Sequence, residues 1–145
     1  PYASEQTAKE AGVVLTDMEQ IIKESDFLSV HCPLTKDTRH IIGREEFRKM
    51  KSTAFVINTA RGGIIDEAAL IEALKEKEIA GAGIDVFEQE PAGPDNELLH
   101  LPNVIATPHS AWYSEVAITT LQRKVAGEVV NVLQGNRPFH CVNGL

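Results

Sequence analysis

Residues 54–63 read AFVINTARGG, a short apolar run that ends at an arginine among small residues. Apolar runs of this length, rich in β-branched residues, are typical of strands buried on both faces of a parallel sheet. Four more runs share this pattern: GVVL (12–15), FLSVH (27–31), AGIDVF (82–87) and NVIAT (103–107). We therefore expect five strands, with Arg61 just past the end of the third.

Helical patterns lie between the predicted strands. A capping-box spacing begins at Thr16, a shorter helix is expected near residues 44–50, and Asp66 begins another. Strands that alternate with helices imply right-handed crossovers and a parallel α/β sheet. Such sheets bind ligands outside the carboxyl ends of their strands, where Arg61 and His109 are expected to lie.

Two segments interrupt this alternation. Residues 88–102 form a Pro- and Gly-punctuated loop that is long enough to be functional. Residues 114–134 predict one helix, with Ser114 as its cap, apolar residues every four positions and Gly135 as its stop. A helix of about 20 residues spans roughly 30 Å, which is long for a crossover, so we expect it to reach another domain.

The composition limits the classes of function. The chain has 145 residues, the size of one ordinary domain, and 14 basic against 21 acidic residues give a net charge of −7. That balance argues against a general nucleic-acid or anionic-membrane surface. Two cysteines make neither a metal cluster nor a disulfide framework. We expect a cytoplasmic protein with no metal, no nucleic-acid partner and no membrane partner.

Four polar residues fall at or just past predicted strand ends: Arg61, Asp85, Glu90 and His109. Singly, each has an ordinary explanation, respectively a surface charge, a turn cap, a solvated loop carboxylate and a structural histidine. Together they could bind a carboxylate, accept from a carboxamide, orient an imidazole and exchange a proton near neutral pH. That combination suits hydride transfer at a carbon next to a carboxylate.

Four linked motifs, in order and spacing, resemble the second half of a D-2-hydroxyacid dehydrogenase: SDFLSVHCPLTKDTRHIIG (25–43), NTARGGIIDEAALIEAL (58–74), GIDVFEQEP (83–91) and TPHSAW (107–112). The resemblance covers nearly the whole chain. It implies an α/β fold, a partial doubly wound (Rossmann-type) parallel sheet with a long C-terminal crossover helix. Residues 1–112 would belong to the NAD-binding domain and residues 113–145 to the substrate domain. The implied activity is NAD(H)-dependent interconversion of a small D-2-hydroxy acid and its 2-oxo acid.

The resemblance also assigns roles to individual residues. Arg61 would bind the substrate carboxylate, His109 would be the catalytic acid/base and Glu90 its partner. Trp112 would contact a 2-oxo acid, although it could equally be an aromatic packed at a domain seam. The residues implied in cofactor binding are Cys32, Pro33, Thr38, Thr59, Ala60, Asp85, Ser110 and Ala111, with Asp85 at the nicotinamide carboxamide.

Several alternatives stay open. HSAWYSE (109–115) is similar to the C-terminal-binding proteins, NAD-sensing corepressors, so a binding protein is a second hypothesis. NAD is the expected cofactor and NADP is not excluded, because no ribose-recognising acid is found in the chain. The glycine-rich phosphate loop is also missing, so we expect a chain truncated from a longer one, which binds dinucleotide poorly or is inactive alone. By resemblance the protein would be a homodimer.

Overall fold

The computed structural model describes residues 4–141, and its centre is a four-stranded parallel sheet. The strands are β1 (Phe27–Val30), β2 (Phe55–Asn58), β3 (Gly81–Ile84) and β4 (Val104–Ala106), side by side in chain order. Leu28 lies opposite Val56, and Val56 opposite Ala82. Four of the five predicted strands are thus confirmed, and with them the α/β fold, but β3 ends at Ile84, three residues before the end of the predicted strand at 82–87.

The helices are α1 (Glu5–Ala11), α2 (Met18–Glu24), α3 (Arg44–Lys49), α4 (Glu67–Lys75) and α5 (Glu115–Leu133), with 3₁₀ turns at Gly62–Ile64 and Glu97–His100. Asp66 caps α4 and Ser114 caps α5, as the sequence predicted. The cap of α2 is Asp17, one residue later than the predicted Thr16, because the Asp17 carboxylate accepts from the Gln20 N–H. Helix α1 was not predicted from the sequence, although Ser4 followed by Glu5 is a normal helix start.

One face of the sheet carries the core. Side chains of α2, α3 and α4 pack there with alternate residues of the strands, and Phe47 of α3 and Val56 of β2 are fully buried. Each right-handed crossover advances in the same direction along the sheet, so the connecting segments fall on one face. This arrangement leaves the carboxyl ends of all four strands at one edge.

The prediction that the strands are buried on both faces is wrong for the described residues. Phe27, Phe55 and Ile105 are 71%, 42% and 75% exposed, while their sequence neighbours Leu28 and Val56 are buried. The physical reason is the constant direction of the crossovers, which brings the connections to the opposite face only. The ring centroids of Phe27 and Phe55 are 5.6 Å apart in a stacked pair.

The predicted strand at residues 12–15 is also wrong. Gly12 has φ 68° and ends α1, and Val14 behind it is 89% exposed. A strand needs a hydrogen-bonded neighbour, and among residues 4–141 β1 pairs only with β2. The apolar run at 12–15 therefore stays irregular.

The chain divides into two compact units, Pro1–His109 and Ser110–Leu145. The first holds the sheet, and the second holds α5 and the segment after it. The predicted boundary fell three residues later, after Trp112. Whether residues 113–145 serve a substrate domain stays a prediction, and residues 1–3 and 142–145 of the two predicted domains lie outside the described residues. In the described part, none of the helices has the length and apolar character needed to cross a membrane.

Candidate active site

The turn that carries Arg61 is built by the last residue of β2. The Asn58 side chain is buried, its Nδ2 donates to the Arg61 carbonyl oxygen at 3.0 Å, and its Oδ1 accepts from the Ala60 N–H at 3.1 Å. These two bonds fold the chain back as it leaves the sheet. The exposed Arg61 side chain, whose Nη1 donates to the Ala60 carbonyl oxygen at 2.6 Å, is thereby placed at the carboxyl edge.

Gly62 brings this turn against the segment that follows β3. A Cβ atom added at Gly62 would lie 2.0 Å from both the carbonyl carbon and the oxygen of Phe87. Only glycine permits so close an approach. The turn of Arg61 and the segment that leads to Glu90 are consequently in direct backbone contact.

Glu90 and His109 form a hydrogen-bonded pair. The Glu90 Oε2 atom lies 2.8 Å from Nδ1 of His109, and its Oε1 atom accepts from the Phe87 N–H at 3.0 Å. The bond to His109 is the main cause that holds the pKa of Glu90 below its ordinary value, and the Phe87 N–H and the charges of His109 and Arg61 add to it. An ionised carboxylate only accepts, so Nδ1 carries the proton that it shares with Glu90.

Backbone geometry at the end of β4 fixes the position of His109. Its φ is 54°, in the left-handed region that non-glycine residues seldom adopt, and its N–H donates to the Asp85 carbonyl oxygen at 2.8 Å. The Asp85 side chain is buried and accepts a hydrogen bond from the Thr107 hydroxyl. Backbone strain of this kind clusters at functional sites.

A cavity of about 600 Å³ lies beside the pair. Glu90 and His109 contribute its polar wall, and the rest is mainly apolar, formed by Phe87, Pro91, Ala92, Leu99, Ala106, Thr107 and Pro108. A mainly apolar cleft with a few polar groups is the usual form of a small-molecule site.

The loop after β1 holds Cys32, Pro33 and Thr38. The Thr38 hydroxyl donates to the Pro33 carbonyl oxygen at 2.6 Å and accepts from the Thr35 N–H at 2.7 Å, so the loop folds on itself. Cys32 packs against the core from the carboxyl end of β1. Thr59, which is exposed, and Ala60 lie in the neighbouring turn after β2.

The structure thus brings Arg61, Asp85, Glu90 and His109 to one edge of the first unit. Ser110, Ala111 and Trp112 belong to the second unit, where the Trp112 ring meets that of Tyr113 edge-on at 5.8 Å, and their predicted contacts stay predictions. Three supporting residues were not predicted from the sequence: Asn58, Gly62 and Thr107. Each stands next to a predicted site residue or at a strand end, and that position was the only signal.

Known proteins are similar to this chain in sequence. The model of the family described as D-isomer specific 2-hydroxyacid dehydrogenase, NAD binding domain, matches residues 1–111. The chain is 47% identical over 135 residues to a glyoxylate reductase of Korarchaeum cryptofilum, covering 93% of this chain and 41% of that protein. It is 47% identical over 144 residues to a D-3-phosphoglycerate dehydrogenase of Methanocaldococcus jannaschii, covering 99% and 27%.

A solved structure shows the same fold. The NAD-complexed D-isomer specific 2-hydroxyacid dehydrogenase of Lactobacillus delbrueckii ssp. bulgaricus superposes with a TM-score of 0.87 at 33% identity, over 97% of this chain and 46% of that one. The chain therefore spans less than half the length of each of these three proteins.

Proposed function

This chain belongs to the D-isomer specific 2-hydroxyacid dehydrogenase family, whose NAD-binding domain it carries, and on that premise we propose that it serves the NAD(H)-dependent interconversion of a small D-2-hydroxy acid and its 2-oxo acid. The observation that carries the proposal is the Glu90–His109 hydrogen bond of 2.8 Å at the carboxyl edge of the sheet. The charge of Arg61 acts on the same carboxylate.

The residues divide the reaction between them. Arg61 binds the substrate carboxylate, because a guanidinium presents a planar fork that fits its two oxygens. His109 gives a proton to the carbonyl oxygen during reduction and takes it from the hydroxyl during oxidation. Since Nδ1 is engaged by Glu90, this exchange runs through Nε2. NADH, when bound, would supply a hydride to the carbonyl carbon.

The described residues fit the nicotinamide end of the cofactor. The buried Asp85 carboxylate, at the carboxyl end of β3, is suited to accept from a carboxamide N–H. Thr59 and Ala60 are small and leave room for a planar ring beside the turn. Cys32, Pro33 and Thr38 are assigned to the adenosine side. Recognition of the ribose hydroxyls is not assigned to any residue, so NADP stays an alternative to NAD.

The hydrogen-bonded pair of Glu90 and His109 favours a catalytic function over a function limited to sensing NAD(H). A protein that only sensed NAD(H) would need a nucleotide pocket and no acid/base, whereas Glu90 holds His109 in one tautomer. Oxo-acid-dependent consumption of NADH separates the two functions. The proposed substrate class is small 2-oxo acids such as glyoxylate. We also propose that the protein is cytoplasmic and forms a homodimer. Light scattering would measure its oligomeric state.

The test is an NADH titration of this chain followed through Trp112, its only tryptophan, and then NADH consumption with a panel of 2-oxo acids. If this chain binds NADH, Trp112 emission is quenched saturably, and His109→Ala then reduces turnover by roughly 10²–10⁴-fold while NADH still binds. No response of Trp112 would instead support the expectation from the sequence that this chain alone binds dinucleotide poorly. His100→Ala is the matched control, since His100 contacts the Pro94 carbonyl oxygen and does not line the cavity beside the pair. Turnover undiminished by His109→Ala would refute the role of His109. Saturable NADH binding with no turnover of any oxo acid would favour either the sensing protein or a fragment that is inactive on its own.

A further inference from the structure

Glu88 lies two residues before Glu90 and has no role in the reaction described above. Its Oε1 atom accepts from the Glu67 N–H at 3.1 Å, and the Glu67 Oε2 atom accepts from the Glu88 N–H at 3.0 Å. Each glutamate therefore binds the backbone of the other. We name this reciprocal contact, formed by Glu67 and Glu88, the carboxylate bracket.

The carboxylate bracket connects several segments around the site. Glu67 is the first residue of α4, five residues after Gly62, and its Oε1 atom accepts from Asn96 Nδ2 at 2.7 Å. His40 Nε2 lies 2.8 Å from Glu88 Oε1, and Arg39 Nη2 lies 3.7 Å from Glu88 Oε2. Both belong to the segment that follows Thr38 on the proposed cofactor side.

The backbone at Glu88 sets where Glu90 can reach. Glu90 accepts from the Phe87 N–H, and the Phe87 carbonyl is the group that lies against Gly62. Phe87 and Glu90 are thus held on either side of Glu88. A shift of the Glu88 backbone would lengthen the Glu90 bonds to Phe87 and His109 together.

We propose that Glu88 is a positioning residue, which holds the Glu90 carboxylate on His109 through its reciprocal contact with Glu67. The proposal rests on the proposed function, because it gives Glu88 meaning as a support of the acid/base pair. The Glu88 side chain is only 29% exposed, so water replaces its partners incompletely. It touches none of the reacting atoms, and it acts only through Glu90.

Removing Glu88 has two effects of opposite sign on the pKa of Glu90. Loss of a neighbouring negative charge lowers that pKa, because the ionised Glu90 is then less repelled. Displacement of the Glu90 carboxylate weakens its bond to His109, which is the largest cause of the lowered pKa of Glu90. That displacement therefore raises the pKa of Glu90. Glu88→Gln removes the charge but keeps an oxygen acceptor for the Glu67 N–H, whereas Glu88→Ala removes both.

The experiment is a carboxyl ¹³C NMR titration of Glu90 in this chain and its variants. We expect Glu88→Ala to raise the pKa of Glu90 by up to roughly 1 pH unit and Glu88→Gln to leave it unchanged or slightly lower. Equal pKa values for Glu90 in the two variants would overturn the proposal. The measurement needs neither NADH nor an oxo acid, so a failed turnover assay leaves its result intact.

The other half of the carboxylate bracket gives an independent pair of variants. Glu67→Ala removes the acceptor of the Glu88 N–H and should also raise the pKa of Glu90, whereas Glu67→Gln should not. If the amide spectrum shows that Glu88→Ala is unfolded, the Glu67 pair decides alone. A Glu90 pKa that does not differ between Glu67→Ala and Glu67→Gln would then overturn the proposal.

Discussion

Asn58 and Arg61 are joined by a hydrogen bond of 3.0 Å, from the buried Asn58 side chain to the Arg61 backbone carbonyl. The same side chain accepts from the Ala60 N–H at 3.1 Å. The end of β2 therefore dictates the path of the turn, and the turn dictates where the guanidinium emerges. The position of the proposed anion-binding group is thus set from inside the core.

Asn58→Ala should destabilise the first unit by about 1–3 kcal/mol, because it leaves the Ala60 N–H and the Arg61 carbonyl without their buried partner. Urea denaturation measures the change in unfolding free energy. Asn58→Asp is the informative companion, since its carboxylate can still accept from Ala60 but cannot donate to Arg61. An Ala variant as stable as the wild type would show that the turn holds without Asn58.

Arg61→Lys should weaken oxo-acid binding roughly tenfold or more and leave NADH binding nearly unchanged. An ammonium cannot reproduce the bidentate fork, and a charge-assisted hydrogen bond contributes about 1.5–3 kcal/mol. Titrations with NADH and then with oxo acid, each followed by fluorescence, measure the two affinities separately. Arg48→Lys, on the outer surface of α3, is the matched control. An NADH affinity that collapsed while oxo-acid affinity held would assign Arg61 to the cofactor.

The lowered pKa of Glu90 predicts how stability depends on pH. A carboxylate whose folded pKa lies below its ordinary value of 4.5 stabilises the fold above that value, and the contribution disappears as the pH falls through the folded pKa. Wild type should therefore exceed Glu90→Gln in unfolding free energy at neutral pH, and the gap should narrow in acid. Denaturant titrations across that range test this, with Asp37→Asn in an exposed loop as control. A gap independent of pH would mean that Glu90 is not held ionised by its partners.

The sequence predicted most of the sheet because short apolar runs, most of them rich in β-branched residues, are strong strand signals. It failed at residues 12–15, since a strand also needs a neighbour, and pairing is not visible in a single apolar run. The prediction that the second face of the sheet is buried failed for a related reason. Exposure of Phe27 and Phe55 depends on the direction of the crossovers, which the order of the strands in the sheet decides.

The predicted site residues came from their position after strand ends and from family resemblance. The supports of those residues did not, because the bonds of Asn58 to its turn and of Glu67 to Glu88 depend on backbone paths. Glu67 and Glu88 are 21 residues apart in sequence. No periodicity links two such positions, so only the fold brings them together.

The close approach of Gly62 to Phe87 predicts that a substitution at Gly62 disturbs both the turn of Arg61 and the Glu90–His109 pair. Gly62→Ala places a Cβ atom 2.0 Å from the Phe87 carbonyl, so the backbone has to move. The Phe87 N–H, which donates a hydrogen bond to Glu90, moves with it. We expect a loss of stability of several kcal/mol, the range of severe overpacking, and a rise of the Glu90 pKa toward its ordinary value. Gly93→Ala is the matched control, because nothing lies within 4 Å of a Cβ atom there.

The two readouts for Gly62→Ala separate packing from positioning. Denaturation reports the steric cost, while the carboxyl titration of the folded fraction reports whether Glu90 keeps its place on His109. A loss of stability in Gly62→Ala that is smaller than expected, together with an unchanged Glu90 pKa, would show that the turn of Arg61 can shift without disturbing the acid/base pair. A raised Glu90 pKa in Gly62→Ala but not in Gly93→Ala would show that the Arg61 turn and the Glu90–His109 pair form one mechanical unit.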